Sequence, residues 1–243
     1  MFAVDHAATA LLVKRRWPSA PLAPVLISVQ AMELAWVACN YLGIERTTTE
    51  PVVRSVADIH LASIPYSHSV GTAVAAAVVA WLVIAKGFGK STLGLAVGFG
   101  IFSHLVLDVV THAPDIALWP GVASPMLGLG LYSAAPLLAF FVEMAYGLFC
   151  WWVYRGGSGL LAFVVLGNLA NLSFLSPTIP GPEQYLAQKP MLVVSLIFVQ
   201  IVVTLALVWV LARVNPGGAN ARALDRRHQD RSSDRRHADR SRD

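Results

Sequence analysis

Three residues recur at four-residue spacing in Ser103-His104-Leu105-Val106-Leu107-Asp108-Val109-Val110-Thr111-His112. On an α-helix that spacing keeps side chains on one stripe. His104, Asp108 and His112 are therefore expected to stack about a turn apart along one face. Two imidazoles and a carboxylate are donors that Zn²⁺ and other first-row metals take. Without a metal, the same stripe would be a polar seam joining helices. A closed ligand set needs a fourth group. His68, which follows Pro65-Tyr66-Ser67, is the first candidate and His6 a further one. Glu33 and Glu143 each interrupt an apolar run and suit a general acid or base.

The element that must carry the stripe looks embedded in a membrane, since residues 93–101 before it are almost wholly apolar. The whole 243-residue chain is 56% hydrophobic and only 13% charged, with a mean hydropathy of +0.61. A soluble domain carries nearer about a quarter charged residues. We expect an all-α, polytopic membrane helix bundle of about six transmembrane helices plus a short N-terminal half-helix. The half-helix is placed at 2–13 and the spans at 22–42, 69–85, 91–110, 127–154, 160–175 and 191–212. The fourth is longer than a crossing needs, so its first part, 128–133, reads as re-entrant or interfacial. The helical domain is expected over 1–213, and a disordered, cytoplasmic Arg/Asp-rich tail over 214–243. The basic cluster Lys14-Arg15-Arg16 follows the first apolar run rather than preceding it, so that run does not read as a secretory signal.

The net charge of +4 does not point to nucleic acid. Residues 215–243 hold eight Arg and five Asp and supply +3 of it. Cys39 and Cys150 both fall in apolar runs and read as buried thiols. Putting Lys14-Arg15-Arg16 in the cytoplasm also puts Lys86, Lys90, Arg155, Arg213 and the tail arginines there, leaving Arg46, Arg54 and Lys189 outside. Both termini are then expected to be cytoplasmic, and the stripe to lie in the outer half of the bilayer. At about 1.5 Å per residue, His104 stands about 21 Å above Lys90. His68, at the outer start of the second span, shares that level. Unpartnered ionisable groups at such depth cost about 2.5 to 3.5 kcal/mol each, so they mark a site.

Several chemistries leave no trace. The chain has no Gly-rich phosphate loop, no Gly-x-Ser-x-Gly elbow and no His-Glu-x-x-His. No inverted repeat of the kind that marks many transporters is visible. Three classes fit what is present: a metal-dependent hydrolase, a transporter or channel with an intramembrane His/carboxylate path, and a non-catalytic membrane scaffold.

The motifs also carry a resemblance. His6, Pro65-Tyr66-Ser67-His68-Ser69, the stretch from Ser103 to His112, Pro114-Asp115-Ile116-Ala117-Leu118-Trp119-Pro120-Gly121 and Gly128-Leu129-Gly130-Leu131-Tyr132-Ser133 resemble a family of bacterial inner-membrane proteins described as membrane-bound metal-dependent hydrolases. The resemblance covers about residues 1–145. The His-x-x-x-Asp-x-x-x-His element is also similar to one that ligates metal in zinc-dependent phospholipase C and related nucleases. These likenesses imply an inner-membrane protein with a divalent metal, zinc first, and His104, Asp108 and His112 among its ligands. The family often has an acidic residue, usually Asp, near the end of its first span; Glu33 stands at that place. A lipid or lipid-linked phosphoester is the expected substrate and membrane lipid the expected partner. The sequence is silent on oligomeric state.

Overall fold

The apolar run at the start of the chain folds into helix α1 (Ala3–Arg16), the axis of a helical bundle in the computed structural model. Residues 1–121, 124–176 and 178–214 are described. The expected tail, beyond Val214, lies outside them. After α1 come α2 (Leu22–Val29) and α3 (Ala31–Tyr41), then a hairpin of β1 (Arg46–Thr49) and β2 (Ile59–Ser63). Next are α4 (Val70–Leu82) and α5 (Ser91–Thr111). The two-residue strands β3 (Ile116–Ala117) and β4 (Met126–Leu127) pair with each other, and the one-turn helix α6 (Leu131–Ala134) follows. The chain closes with α7 (Pro136–Tyr154), α8 (Ser158–Ala170) and α9 (Pro190–Val214).

Among the described residues, four helical segments are long and apolar enough to cross a membrane: Val70–Gly87, Ser91–Thr111, Pro136–Tyr154 and Pro190–Val214. A fifth arises if α2 and α3, bent by 55° at their junction, count as one broken span. The expected count of six is not reached by length. The fifth expected span contracts to α8, whose 13 residues make about 20 Å against a hydrocarbon core of about 30 Å. The fourth starts only at Pro136, because 127–135 form the β4 turn and α6. The 14 residues of α1 are also too few to cross, yet this helix sits at the centre rather than the margin. It touches α2, α5, α7, α8 and α9. Its Ala3, Ala7, Ala8 and Ala10 are buried, and small side chains let neighbouring backbones close in.

Small residues set the other close crossings. A Cβ on Gly94 would meet the Trp81 carbonyl at 2.9 Å, and one on Gly98 the Ala77 carbonyl at 3.0 Å. That seam locks α5 against α4. On another face of α5, Gly100 lies against Ser28, where a Cβ would collide with the serine hydroxyl. This contact seats the end of α2 on α5, one helical turn before His104. The C-terminal end of α5 is closed by the turn after β4. Leu129 donates its N–H to the Val109 carbonyl at 2.7 Å, and Gly130 to the His112 carbonyl at 2.6 Å. These bonds satisfy carbonyls that a helix end leaves without partners. Gly128 makes the turn with φ +147°, and a Cβ there would collide with the Ala113 carbonyl. Both cysteines are free thiols, Cys150 buried and Cys39 half-buried.

Candidate metal centre

The packing of α3, α4 and α5 brings four donor groups to one point. Glu33 comes from the first turn of α3. His104 and Asp108 come from adjacent turns of α5. His68 stands just before α4, where Ser69 caps the helix by accepting the Thr72 N–H at 3.2 Å. Each of the four offers one ligand atom, and these atoms lie within 4.8 Å of one another. Asp108 Oδ2 is 3.0 Å from His104 Nε2 and 3.7 Å from His68 Nε2. Glu33 Oε2 is 3.3 Å from His68 Nε2 and 3.6 Å from His104 Nε2. A tetrahedron with arms of about 2.0–2.1 Å has edges of about 3.3–3.4 Å, so these spacings fit one small cation.

The polar accounting points the same way. His68 Nε2, His104 Nε2 and Asp108 Oδ2 are buried without a hydrogen-bond partner among the described residues. The three residues are at most 1% exposed. Buried polar atoms almost always have partners, and three orphans facing one point ask for a missing one. Both imidazoles are held by their other nitrogen. His104 Nδ1 donates to the Val29 carbonyl at 2.9 Å. A carbonyl only accepts, so Nδ1 carries a proton, and in the neutral ring Nε2 keeps its lone pair. Val29 ends α2, and its carbonyl is free because the bend at Gln30 stops the helix from continuing. The break in the first span is thus part of the site. His68 Nδ1 lies 2.8 Å from Ser67 Oγ, which is 2.6 Å from Glu45 Oε2. Such outer partners orient metal-binding histidines.

The expected ligands divide around Asp108. Glu33, anticipated as an acid or base, is in the four-atom set. His6 and His112, anticipated as ligands, are not. They face the other carboxylate oxygen, Oδ1, with His6 Nε2 at 3.2 Å and His112 Nε2 at 3.8 Å. His6 also stacks on His104 with ring centroids 3.9 Å apart. His112 has left the helix: it is the C-cap of α5 with ψ 150°, so the four-residue register stops at Thr111. Its Nδ1 turns to Asp115 Oδ1 at 3.4 Å and its ring stacks on His68. The Met1 amino group also donates to Asp108 Oδ1, at 2.7 Å, and to Thr111 Oγ1, at 2.8 Å.

Glu143 lies one layer away. Its Oε1 accepts the Tyr132 hydroxyl at 2.6 Å and its Oε2 the Phe2 N–H at 3.3 Å. Burial, and then the Glu143 carboxylate, push the Tyr132 phenol well above its ordinary pKa, so it stays a donor. Asp5 is buried beside this pair, and neither of its oxygens has a hydrogen-bond partner among the described residues. Gly147, one turn after Glu143, gives it room, since a Cβ there would be 2.9 Å from Asp5 Oδ1.

A cavity of about 430 Å³ opens beside the centre. Its polar lining includes Glu33, His6, His60, His112, Asp115, Tyr132 and Gln200. Its apolar lining includes Val56, Ile59, Leu61, Ile197 and Ile201. Glu33 is 20% exposed, whereas the other three members of the set are closed off, so the approach is from this side.

Two contributors were not anticipated. Asp5 was visible beside His6, but nothing in the sequence pairs it with α7. Glu45 reads as an ordinary loop carboxylate until the hairpin folds it inward. No family model, no curated protein and no solved structure matches this chain at a significant level. Function is therefore a matter of the site's own chemistry.

Proposed function

We propose that this protein is an integral-membrane, metal-dependent hydrolase whose divalent ion, zinc by its donor set, is held by Glu33, His68, His104 and Asp108. The observation that carries this reading is the convergence of four donor atoms, three of them buried and otherwise unpartnered. Two neutral imidazoles suit zinc, and two carboxylates supply the two negative charges that balance a divalent ion. A divalent ion held there would supply Lewis acidity and, with a position for water beyond the four donors, would make that water a usable nucleophile near neutral pH.

The chain's own groups then have distinct tasks. His6 and His112 hold the Oδ1 side of Asp108 and aim its Oδ2 inward. Tyr132 lines the cavity and donates to Glu143, which gives Glu143 a route for a proton between the buried interior and the cavity. The apolar cavity wall suits a lipid or lipid-linked phosphoester, with its polar head at Glu33 and His112. The kinship with membrane-bound metal-dependent hydrolases that the motifs suggest agrees with this assignment. We place the protein in the bacterial inner membrane, with six crossings in which α8 is the short one. The centre then faces the outer half and the Lys14–Arg16 cluster the cytoplasm.

The test is elemental analysis of detergent-purified protein from zinc-replete cells, wild type beside Asp108→Asn. The expected result is about one zinc per wild-type chain and almost none in the variant. Equal metal in both, or none in wild type, overturns the assignment. The buried Asp5 beside Glu143 is the one observation that favours an ion path instead. That reading predicts proton or cation flux in proteoliposomes without bound zinc.

A further inference from the structure

We propose that Glu45, acting through Ser67, is a positioning residue that fixes the tautomer of His68 and so leaves its Nε2 free to face the centre. The value of that tautomer for metal binding rests on the metal reading above; the tautomer itself does not.

Glu45 lies between α3 and β1 and is 3% exposed. Its Oε1 accepts two backbone N–H groups, from Tyr66 at 2.9 Å and Ser67 at 2.8 Å. Its Oε2 lies 2.6 Å from Ser67 Oγ. An ionised carboxylate only accepts, so the serine must direct its hydroxyl proton at Glu45. The Ser67 oxygen is then left as an acceptor towards His68 Nδ1, 2.8 Å away. That nitrogen must carry a proton, and in the neutral ring Nε2 then carries the lone pair. The direction of every proton in the chain follows from one carboxylate, seated 23 positions before the histidine it controls.

Glu45→Gln reverses the direction without changing shape. The two backbone N–H groups require an acceptor where Oε1 stands, so the glutamine carbonyl must take that place. Its NH₂ then takes the Oε2 place and donates to Ser67 Oγ. The serine hydroxyl turns to donate to His68 Nδ1, which becomes the acceptor, and the ring proton moves to Nε2. A group that only holds the loop together would tolerate this exchange.

The experiment uses the full-length chain in detergent, labelled with ¹⁵N-histidine, with metal removed. In wild type the His68 resonance should report a proton on Nδ1; in Glu45→Gln it should report one on Nε2. Ser67→Ala should lose the Nδ1 preference without reversing it, and a His68→Gln sample identifies the signal. Zinc affinity, read by chelator competition, should fall about 10- to 100-fold in Glu45→Gln, as for other outer-shell losses. A wild-type proton on Nε2, or the same tautomer in Glu45→Gln as in wild type, overturns the proposal. Unchanged zinc affinity in a Glu45→Gln protein whose tautomer has switched overturns the link to the metal. A switched tautomer in a protein that binds no zinc at all upholds the positioning role and overturns the metal reading instead.

Discussion

Asp108 turns its two oxygens to different neighbours. Oδ2 faces His104 and His68, while Oδ1 faces the Met1 amino group, His6 and His112. Two ligand sets can therefore be told apart by mutation. If the helical stripe is the site, His112→Ala should remove the metal and Glu33→Gln should spare it. The geometry favours the opposite. Glu33→Gln removes one of two charges that balance a divalent ion, so it should abolish zinc retention through dialysis. His112→Ala leaves the four-atom set intact and should weaken zinc by no more than about the 10- to 100-fold of an outer-shell loss. Metal content after dialysis, measured on both proteins, distinguishes the two. A second expectation concerns stability. A ligand that binds only the folded protein stabilises it by about 2.7 kcal/mol at 100 times its Kd. Added zinc should raise the melting temperature of stripped wild type and leave that of Glu33→Gln unmoved. A polar seam alone predicts no response to zinc, since interhelical hydrogen bonds contribute about 0.6 kcal/mol whether or not metal is present.

At the scale of elements, the centre depends on how α2 meets α5. Gly100 brings Ser28 and Val29 close, and the Val29 carbonyl then fixes His104. Gly100→Ala should force the two helices apart and loosen that hydrogen bond. We expect about a tenfold or greater loss of zinc affinity with the helical content preserved, read by chelator competition and circular dichroism. Gly94→Ala, on the α4 seam, crowds the Trp81 carbonyl and lies away from Val29; it should lower stability more than affinity. These details also show what the sequence can and cannot carry. The four-residue spacing of His104 and Asp108 predicts a shared face because helix period is local. Gly94 and Gly98 likewise predict a close crossing. His112 departs from the stripe because helix ends are decided by capping, here by the turn through Gly128 and Gly130, 16 and 18 positions downstream. The bend at Gln30 has no proline at its site to announce it. The β-branched run Thr47-Thr48-Thr49 is a local sign of β1. Glu45 had no such sign, because its role exists only once residues 45 and 66–68 meet.

For the whole molecule, most basic side chains among the described residues lie at the helix ends away from the centre; Arg46, Arg54 and Lys189 are the exceptions. Lys14, Arg15 and Arg16 end α1, Arg155 follows α7, and Arg213 lies in the last turn of α9. Lys86 and Lys90 lie in the turn between α4 and α5. The β1–β2 hairpin and the centre are at the other end. Met1 packs against Asp108 and Thr111, at the end of α1 away from the basic cluster. The orientation therefore rests on the loops. Lysine and arginine favour the cytoplasmic side of short loops, so the α4–α5 turn should be inside and the hairpin outside. Val52 and Phe88 test this, since both are exposed, one after β1 and the other in the α4–α5 turn. In a chain with Cys39 and Cys150 replaced by Ala, Val52→Cys should react with a membrane-impermeant maleimide in intact cells. Phe88→Cys should react only after the inner membrane is opened. The reverse pattern would put the centre in the cytoplasmic half, where a substrate would have to enter from the other leaflet. Reaction of both residues in intact cells would mean that α4 does not cross, and that His68 cannot reach α5 from the side the fold requires.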